Sequence, residues 1–366
     1  AGVFVRDGWL YVSDGNRDVV SRKPLHAPDS AFQRVAGGNG RGGRADQLHR
    51  PWRIFVTPAG DILIADRNNA RVQRVSAQGV ETVAGGRGAG PGLHQLDQPV
   101  AVWEYDGAVY VSDRANHRVV RWDKDATEGV VVVGGHGFGA ASNQLACPAA
   151  IEVTGQGVFV ADEANDRIIL CAHGATEHTL LAAGNGPGSG SAQLYHPLGM
   201  GISLDGSLLV ADSLGFRVQR FPRGAARGDV PSARTIAGGC GSGPALWQLG
   251  QPMAVMEVEQ GIVVSDPDNS RILLFPSVPP DHTDTAPPIQ QPVERGEGRV
   301  VSWRDHAGFG WIVDGEGRKL FAHHSDVSET HVMSGYPSFK PGQNVAFQIH
   351  PDVKWKWRAA VITLKK

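Results

Sequence analysis

The chain has 366 residues, a formal charge of −2 and 48 glycines beside 23 prolines. This near-neutral charge excludes a whole-molecule electrostatic footprint for nucleic acid or anionic membrane, so either partner has to be met by a local patch. The glycine and proline content predicts many short strands divided by turns in place of long helices, and the length exceeds a single hydrophobic core, which predicts two domains.

Cys147, Cys171 and Cys240 are widely spaced, with no CxxC pair to seed a zinc or redox site, and read as reduced packing residues. No stretch approaches a membrane-spanning run of apolar residues, and no charged-then-apolar leader opens the chain as given, so no membrane insertion is expected. The first residue is Ala1 and not Met, which leaves the compartment open, with an intracellular one favoured.

From the N-terminus onward an Asp recurs at positions 14, 66, 113, 162, 212 and 266. A period of about fifty residues signals a propeller or a solenoid. Before each Asp lies an apolar, β-prone run: Trp9 to Val12, Ile62 to Ala65, Val109 to Ser112, Val158 to Ala161, Leu208 to Ala211 and Ile262 to Ser265. Five residues after five of these aspartates stands an Arg (Arg71, Arg118, Arg167, Arg217, Arg271), with a second apolar run behind it. Asp, turn and Arg together predict a hairpin.

The linkers repeat more strictly still. A small-Gly pair (Gly37-Gly38, Gly85-Gly86, Gly134-Gly135, Ala183-Gly184, Gly238-Gly239) precedes a further Gly, then Gln-Leu, then Pro, at constant spacing: Leu48 to Pro51, Leu96 to Pro99, Leu145 to Pro148, Leu194 to Pro197 and Leu249 to Pro252. The glycines let the chain leave an outer strand through backbone angles that other residues resist, Leu plugs between units, and Pro starts the next inner strand where no ladder donor is needed. Each unit thus reads as inner strand, hairpin, outer strand and crossover. One such sheet cannot bury both faces alone, so six pack radially.

The signature Asp-x-x-Asn-x-Arg is intact at Asp66/Asn69/Arg71, Asp113/Asn116/Arg118, Asp162/Asn165/Arg167 and Asp266/Asn269/Arg271. It resembles the NHL repeat, and the resemblance implies an NHL-type six-bladed β-propeller over residues 1–275. Blade five has Gly215 in place of Asn, and blade one reads Asp14-Gly15-Asn16-Arg17, one residue short, so both hairpins are expected to differ. In blade six Phe275 runs straight into Pro276-Ser277-Val278-Pro279-Pro280, which predicts a missing outer strand, to be supplied from upstream of Ala1 or covered by a partner.

An acid and a base recurring round a ring suit a structural role, each Arg bridging strands and neutralising an Asp at a blade end. Some six-bladed relatives are metal-dependent lyases or hydrolases, and His49, His94 and His196 lie in linkers where they would share a rim. The structural reading is preferred, and no catalytic residue, metal or cofactor is assigned. Arg41, Arg44, Arg50, Arg53 and Arg87 cluster around the first two crossovers, as either a basic rim or solvated loop charge.

Residues 276–295 are rich in Pro and read as an extended linker. From 296 to 366 the fifty-residue period stops and five short strands follow: Arg299 to Trp303, Gly310 to Val313, Lys319 to His323, Asn344 to Ile349 and Arg358 to Leu364. Within them Ala307-Gly308-Phe309-Gly310-Trp311-Ile312 and Leu320-Phe321-Ala322-His323-His324 resemble the two nucleic-acid-binding strand motifs of the cold-shock domain, with Trp303 at its stacking Trp. The resemblance implies a small five-stranded OB-fold barrel whose exposed rings stack bases. Alternation supports it, since Phe309 and Trp311 fall on one face and Gly310 and Ile312 on the other. Lys354, Lys356 and Arg358 interleave with Trp355 and Trp357, and the segment carries ten Lys/Arg against seven acids. Ala307 replaces the motif's Lys, and Arg304 the Phe that follows its Trp, substitutions that weaken affinity more than they alter the fold.

The all-β chain is therefore expected to be a non-enzymatic adaptor. Trp303, Phe309, Trp311, Phe321, His323, His324, Lys354, Lys356 and Arg358 would bind single-stranded RNA or DNA, and a propeller face would take protein or further RNA. A docking subunit of a large assembly, with vestigial nucleic-acid binding, is the second reading. A metal-dependent propeller enzyme is the third.

Overall fold

A computed structural model describes residues 2–27, 29–222, 232–239, 241–245, 248–276, 294–304, 309–314, 319–323, 344–350 and 358–364. The chain divides into two compact units, 1–277 and 278–366.

In the first unit each repeat becomes one antiparallel sheet. Blade two consists of Pro51–Val56, Ile62–Asp66, Arg71–Ser76 and Gly79–Gly85, each strand pairing with the next. Its second strand is buried at every position, because neighbours in its own sheet flank it while adjacent blades cover both faces. That is why the run Ile62 to Ala65 is apolar throughout and does not alternate.

Blades one to five have four strands, and the sixth has three among the described residues, Ala254–Val258, Gly261–Asp266 and Arg271–Pro276. The inner strands Val3–Arg6, Pro51–Val56, Pro99–Tyr105, Pro148–Thr154, Pro197–Ile202 and Ala254–Val258 succeed one another round the axis, and the first packs beside the last. The Val5 amide donates to Met256 Sδ at 3.2 Å, and Val3 and Leu10 share a buried cluster with Ala254 and Val263. The ring thus closes through the inner strands of blades one and six.

Leu48, Leu96, Leu145, Leu194 and Leu249 are fully buried, each contributing about 1.5–3 kcal/mol by leaving water. The Gln before them ties the glycine loop to itself: Gln47 Nε2 donates to the Asn39 carbonyl at 3.1 Å and Gln144 Nε2 to the His136 carbonyl at 3.0 Å. At Gly85 the requirement for glycine is explicit, since φ is +67° and a Cβ would stand 2.5 Å from the Ala70 carbonyl oxygen.

In the second unit Glu294–Arg304, Phe309–Asp314, Lys319–His323, Asn344–His350 and Arg358–Leu364 pair into a closed barrel, in the spatial order first, second, third, fifth, fourth. Third and fifth strands run parallel and every other pair is antiparallel. Ile312 is fully buried. The first strand starts five residues earlier than its apolar pattern suggests, because Glu294 to Arg299 pair along Asn344–His350.

Candidate functional site

The repeated acid and base form a hub in each of blades two to six. In blade two the buried Asp66 accepts at Oδ1 from the His49 amide (2.7 Å), and at Oδ2 from Asn69 Nδ2 (2.7 Å) and Arg71 Nε (2.7 Å). Arg71 then donates to the carbonyls of Gly43, Arg44 and Gln47 at 2.7–2.9 Å. The same pairing closes at 2.7 Å in Asp113–Arg118 and Asp162–Arg167, and at 2.8 Å in Asp266–Arg271. Burial lifts the Asp66, Asp113 and Asp212 carboxyls above their ordinary range, and the hydrogen bonds and the arginines pull them back. Every hub oxygen is already engaged, so the hub ties a crossover loop to its blade and offers no free base.

The residue directly before the hub Arg is left-handed in all five hubs, with φ of 51–53° at Ala70, His117, Asp166, Phe216 and Ser270. A non-glycine residue holds this conformation only where its surroundings over-determine it. Two of the five also reach the next blade: His117 Nδ1 accepts from the Cys147 amide (3.2 Å) and Asp166 Oδ1 from the His196 amide (2.8 Å). In blade one Asp18, with φ of 56°, accepts from the Arg50 amide at 2.8 Å.

Both irregular blades have altered hairpins. At Gly215 a Cβ would run into the Asp212 carboxylate, and Gln219 Nε2 donates to Asp212 Oδ2 at 3.1 Å in place of the absent Asn. Asp14 instead accepts from its own turn, the Asn16 amide at 3.0 Å and the Arg17 amide at 3.1 Å, with Arg17 mostly in solvent.

The expected basic rim is revised. Arg53 is not a loop residue: it lies on the inner strand of blade two and spans the ring to blades five and six, where Nη2 donates to the carbonyls of Leu198 (3.1 Å) and Met253 (2.7 Å). Desolvation lowers its pKa to about 10, against a raising influence from Glu152. Its methylenes and two acceptors stabilise a half-buried strap where the local loop charge suggested a solvated one. Arg41 pairs with Asp18 at 3.0 Å and Arg44 with Asp46 at 3.6 Å. Glu152, on the inner strand of blade four, accepts from the Ile202 amide at 2.8 Å, and burial raises its pKa to about 7. In the core shared by blades one, two and three, Phe4 meets Phe55 edge to face at 5.2 Å and Phe55 lies tilted against Trp103 at 4.8 Å.

The three linker histidines have separate partners. His49 meets Asn68 at 3.2 Å, His94 faces Glu128 at 3.9 Å and His196 faces Glu163 at 3.4 Å. Among the described residues no three His, Cys, Asp or Glu side chains gather at one point.

In the barrel, register sets which site residues are neighbours. Phe309 stands opposite His323 and Trp311 opposite Phe321, alternating with Gly310–Ala322 and Ile312–Leu320. On the far side of the third strand Phe321 is in register with Arg358. Trp311, Phe321 and Arg358 thus form one row across three adjacent strands, a row of two rings and a cation. Trp303 is opposite Gly310, and Arg304 opposite Phe309. His324, Lys354 and Lys356 lie outside the described residues.

The NHL repeat family matches residues 48–75, the span from the Leu48 plug through the hub of blade two to Val75. Cold shock-like protein CspD of Escherichia coli (strain K12) is 34% identical over 68 residues, which cover 18% of this chain and 86% of that protein. Among solved structures, an auxiliary nutrient binding protein from Bacteroides thetaiotaomicron overlays with a TM-score of 0.55 at 13% identity, covering 74% of this chain and 67% of that one. A streptogramin B lyase overlays with a TM-score of 0.47 at 12% identity, covering 87% of this chain and 89% of that one. At 13% identity the first of these speaks to the propeller fold alone.

Proposed function

We propose that this chain, an NHL-repeat six-bladed β-propeller with a cold-shock-like segment, is a non-enzymatic adaptor: its C-terminal barrel, of the OB type, stacks single-stranded RNA or DNA, and its propeller is the rigid scaffold. Residues 277–293 connect the two. The observation that supports this reading most directly is the row Trp311–Phe321–Arg358, joined by the neighbouring pair Phe309–His323. Aromatic residues on adjacent strands give successive bases a platform worth about 1–3 kcal/mol per base, and a cation at the edge meets the phosphate backbone. Similarity to a cold shock-like protein over most of that protein's length favours the same reading. Trp303, His324, Lys354 and Lys356 complete the proposed surface.

Saturation of the repeated Asp and Arg favours a scaffold over an enzyme, since every hub oxygen is engaged. Titration of the full chain with labelled oligo-U and oligo-dT tests the proposal. Binding in the micromolar range or tighter, weakened at least tenfold by Phe309→Ala and by Phe321→Ala, is the expected outcome, by the stacking energies above. Binding that is absent, or indifferent to both substitutions, leaves only the docking subunit.

A further inference from the structure

In blades two, three and five the residue directly after the hub aspartate reaches into the next blade or its linker. Arg67 donates to Gln98 Oε1, Arg114 to both Glu163 oxygens at 2.9–3.0 Å, and Ser213 to the Pro252 carbonyl at 2.5 Å. These residues follow one another round the end of the ring at which the inner strands begin.

On blades two and three this row is basic. The turn of Arg67 is tied to the linker of Arg50, since the Asn68 amide donates to the His49 carbonyl at 3.1 Å, and the turn of Arg114 is tied to the linker of Gln98, since the Ala115 amide donates to the Asp97 carbonyl at 3.1 Å. The Glu163 carboxylate is committed, bridging Arg114 and facing His196. Arg67 has no carboxylate bound to it among the described residues: its guanidinium lies 4.8 Å from the centre of the Trp52 ring, one Nη is held by Gln98, and Nε is buried without a hydrogen-bond partner. The Arg50 side chain is exposed and likewise has no ion-pair partner among the described residues. Burial first, then the charges of Arg114 and Arg50, push Arg67 below its usual range, and Glu163 alone opposes them.

Like charges held together in a half-buried niche raise the energy of the empty state, and a bridging anion relieves it. A guanidinium presents parallel N–H donors along an edge, which suits the paired oxygens of an oxyanion. The Trp52 ring and Gln98 hold the Arg67 guanidinium in place, so little conformational entropy remains to be lost on binding. A tetrahedral anion with three or more acceptor oxygens answers guanidinium groups that arrive from a linker and two separate turns better than a planar carboxylate does.

We propose that Arg50 and Arg67, backed by Trp52 and Arg114, form an oxyanion site for a phosphate group at this end of the propeller. The site is independent of the barrel surface, so the two stand or fall separately. The test compares the Tm of the full chain in potassium phosphate with that in potassium chloride at matched ionic strength, alongside ³¹P line broadening as phosphate is titrated. Phosphate is expected to raise Tm above the chloride control. Arg67→Gln and Arg50→Gln are each expected to weaken phosphate about tenfold, the loss that follows from one hydrogen bond to a charged group. Because Arg50 is exposed, its substitution leaves the fold intact and keeps the test decisive if Arg67→Gln unfolds. Equal Tm in the two salts, or an undiminished phosphate response in Arg50→Gln, overturns the site.

Discussion

Arg53 and Glu152 act on each other through the ring channel without a direct hydrogen bond. The arginine spends its donors on the carbonyls of Leu198 and Met253, and the carboxylate takes the Ile202 amide. Blades two, four, five and six are thus tied across the ring by two side chains, each of which burial has moved toward its neutral form.

Glu152 makes stability depend on pH. Its folded pKa of about 7 lies above the ordinary 4.5, so the folded state holds a proton that the unfolded chain releases. That contribution is complete below about pH 4.5 and is lost as pH rises through about 7. Glu152→Gln is expected to raise Tm at pH 8, to leave it nearly unchanged at pH 5, and to flatten the curve between them. Thermal melts at half-unit pH steps check this, and an unaltered pH profile refutes it.

Arg53→Leu keeps much of the side chain's bulk and removes the donors. Two carbonyls lose their partner, at about 1–3 kcal/mol each. A denaturant midpoint lowered without a change in m-value is the expected signature.

The repeated aspartates are not equivalent in energy. Asp162→Asn leaves the mostly buried Arg167 without its counter-charge and is expected to cost about 3–5 kcal/mol. Asp14→Asn, in the exposed hairpin of blade one, removes a 3.7 Å contact to a mostly solvated Arg17 and is expected to cost less than about 1 kcal/mol. Equilibrium unfolding of the two variants side by side measures the difference.

Leu145, fully buried between blades three and four, tests the plug. Leu145→Ala is expected to cost about 2–5 kcal/mol, the range for a core leucine that leaves a cavity. A smaller loss indicates that the glycine loop collapses into the space.

Arg358 adjoins Phe321 in register, at the edge of the aromatic row. Arg358→Ala is expected to lower the slope of log affinity for oligo-U against log salt by about one, with little effect on base preference. A titration at four salt concentrations reads the slope.

The six-fold repeat, the leucine plugs and the Asp–Arg pairs are legible in the chain because each is local and recurs at constant spacing. The two irregular hairpins are legible for the same reason, as departures from that spacing. Arg53 was misread as part of a loop rim because its partners are 145 and 200 residues away. Gln219 standing in for the missing Asn, and the left-handed residues at Ala70 and His117, had no recognisable signal, since neither residue type is unusual for its position.

By itself the amino-acid order determined the strands, the turns and the number of blades, because these follow from alternation, glycine freedom and short-range hydrogen bonds. Only the tertiary structure decided which charges are spent and which are left over. Arg50, Arg53 and Arg67 look alike along the chain, yet one is exposed, one straps the ring and one lies against Trp52. A charge is worth what its surroundings make it, and those surroundings are assembled from blades far apart in sequence.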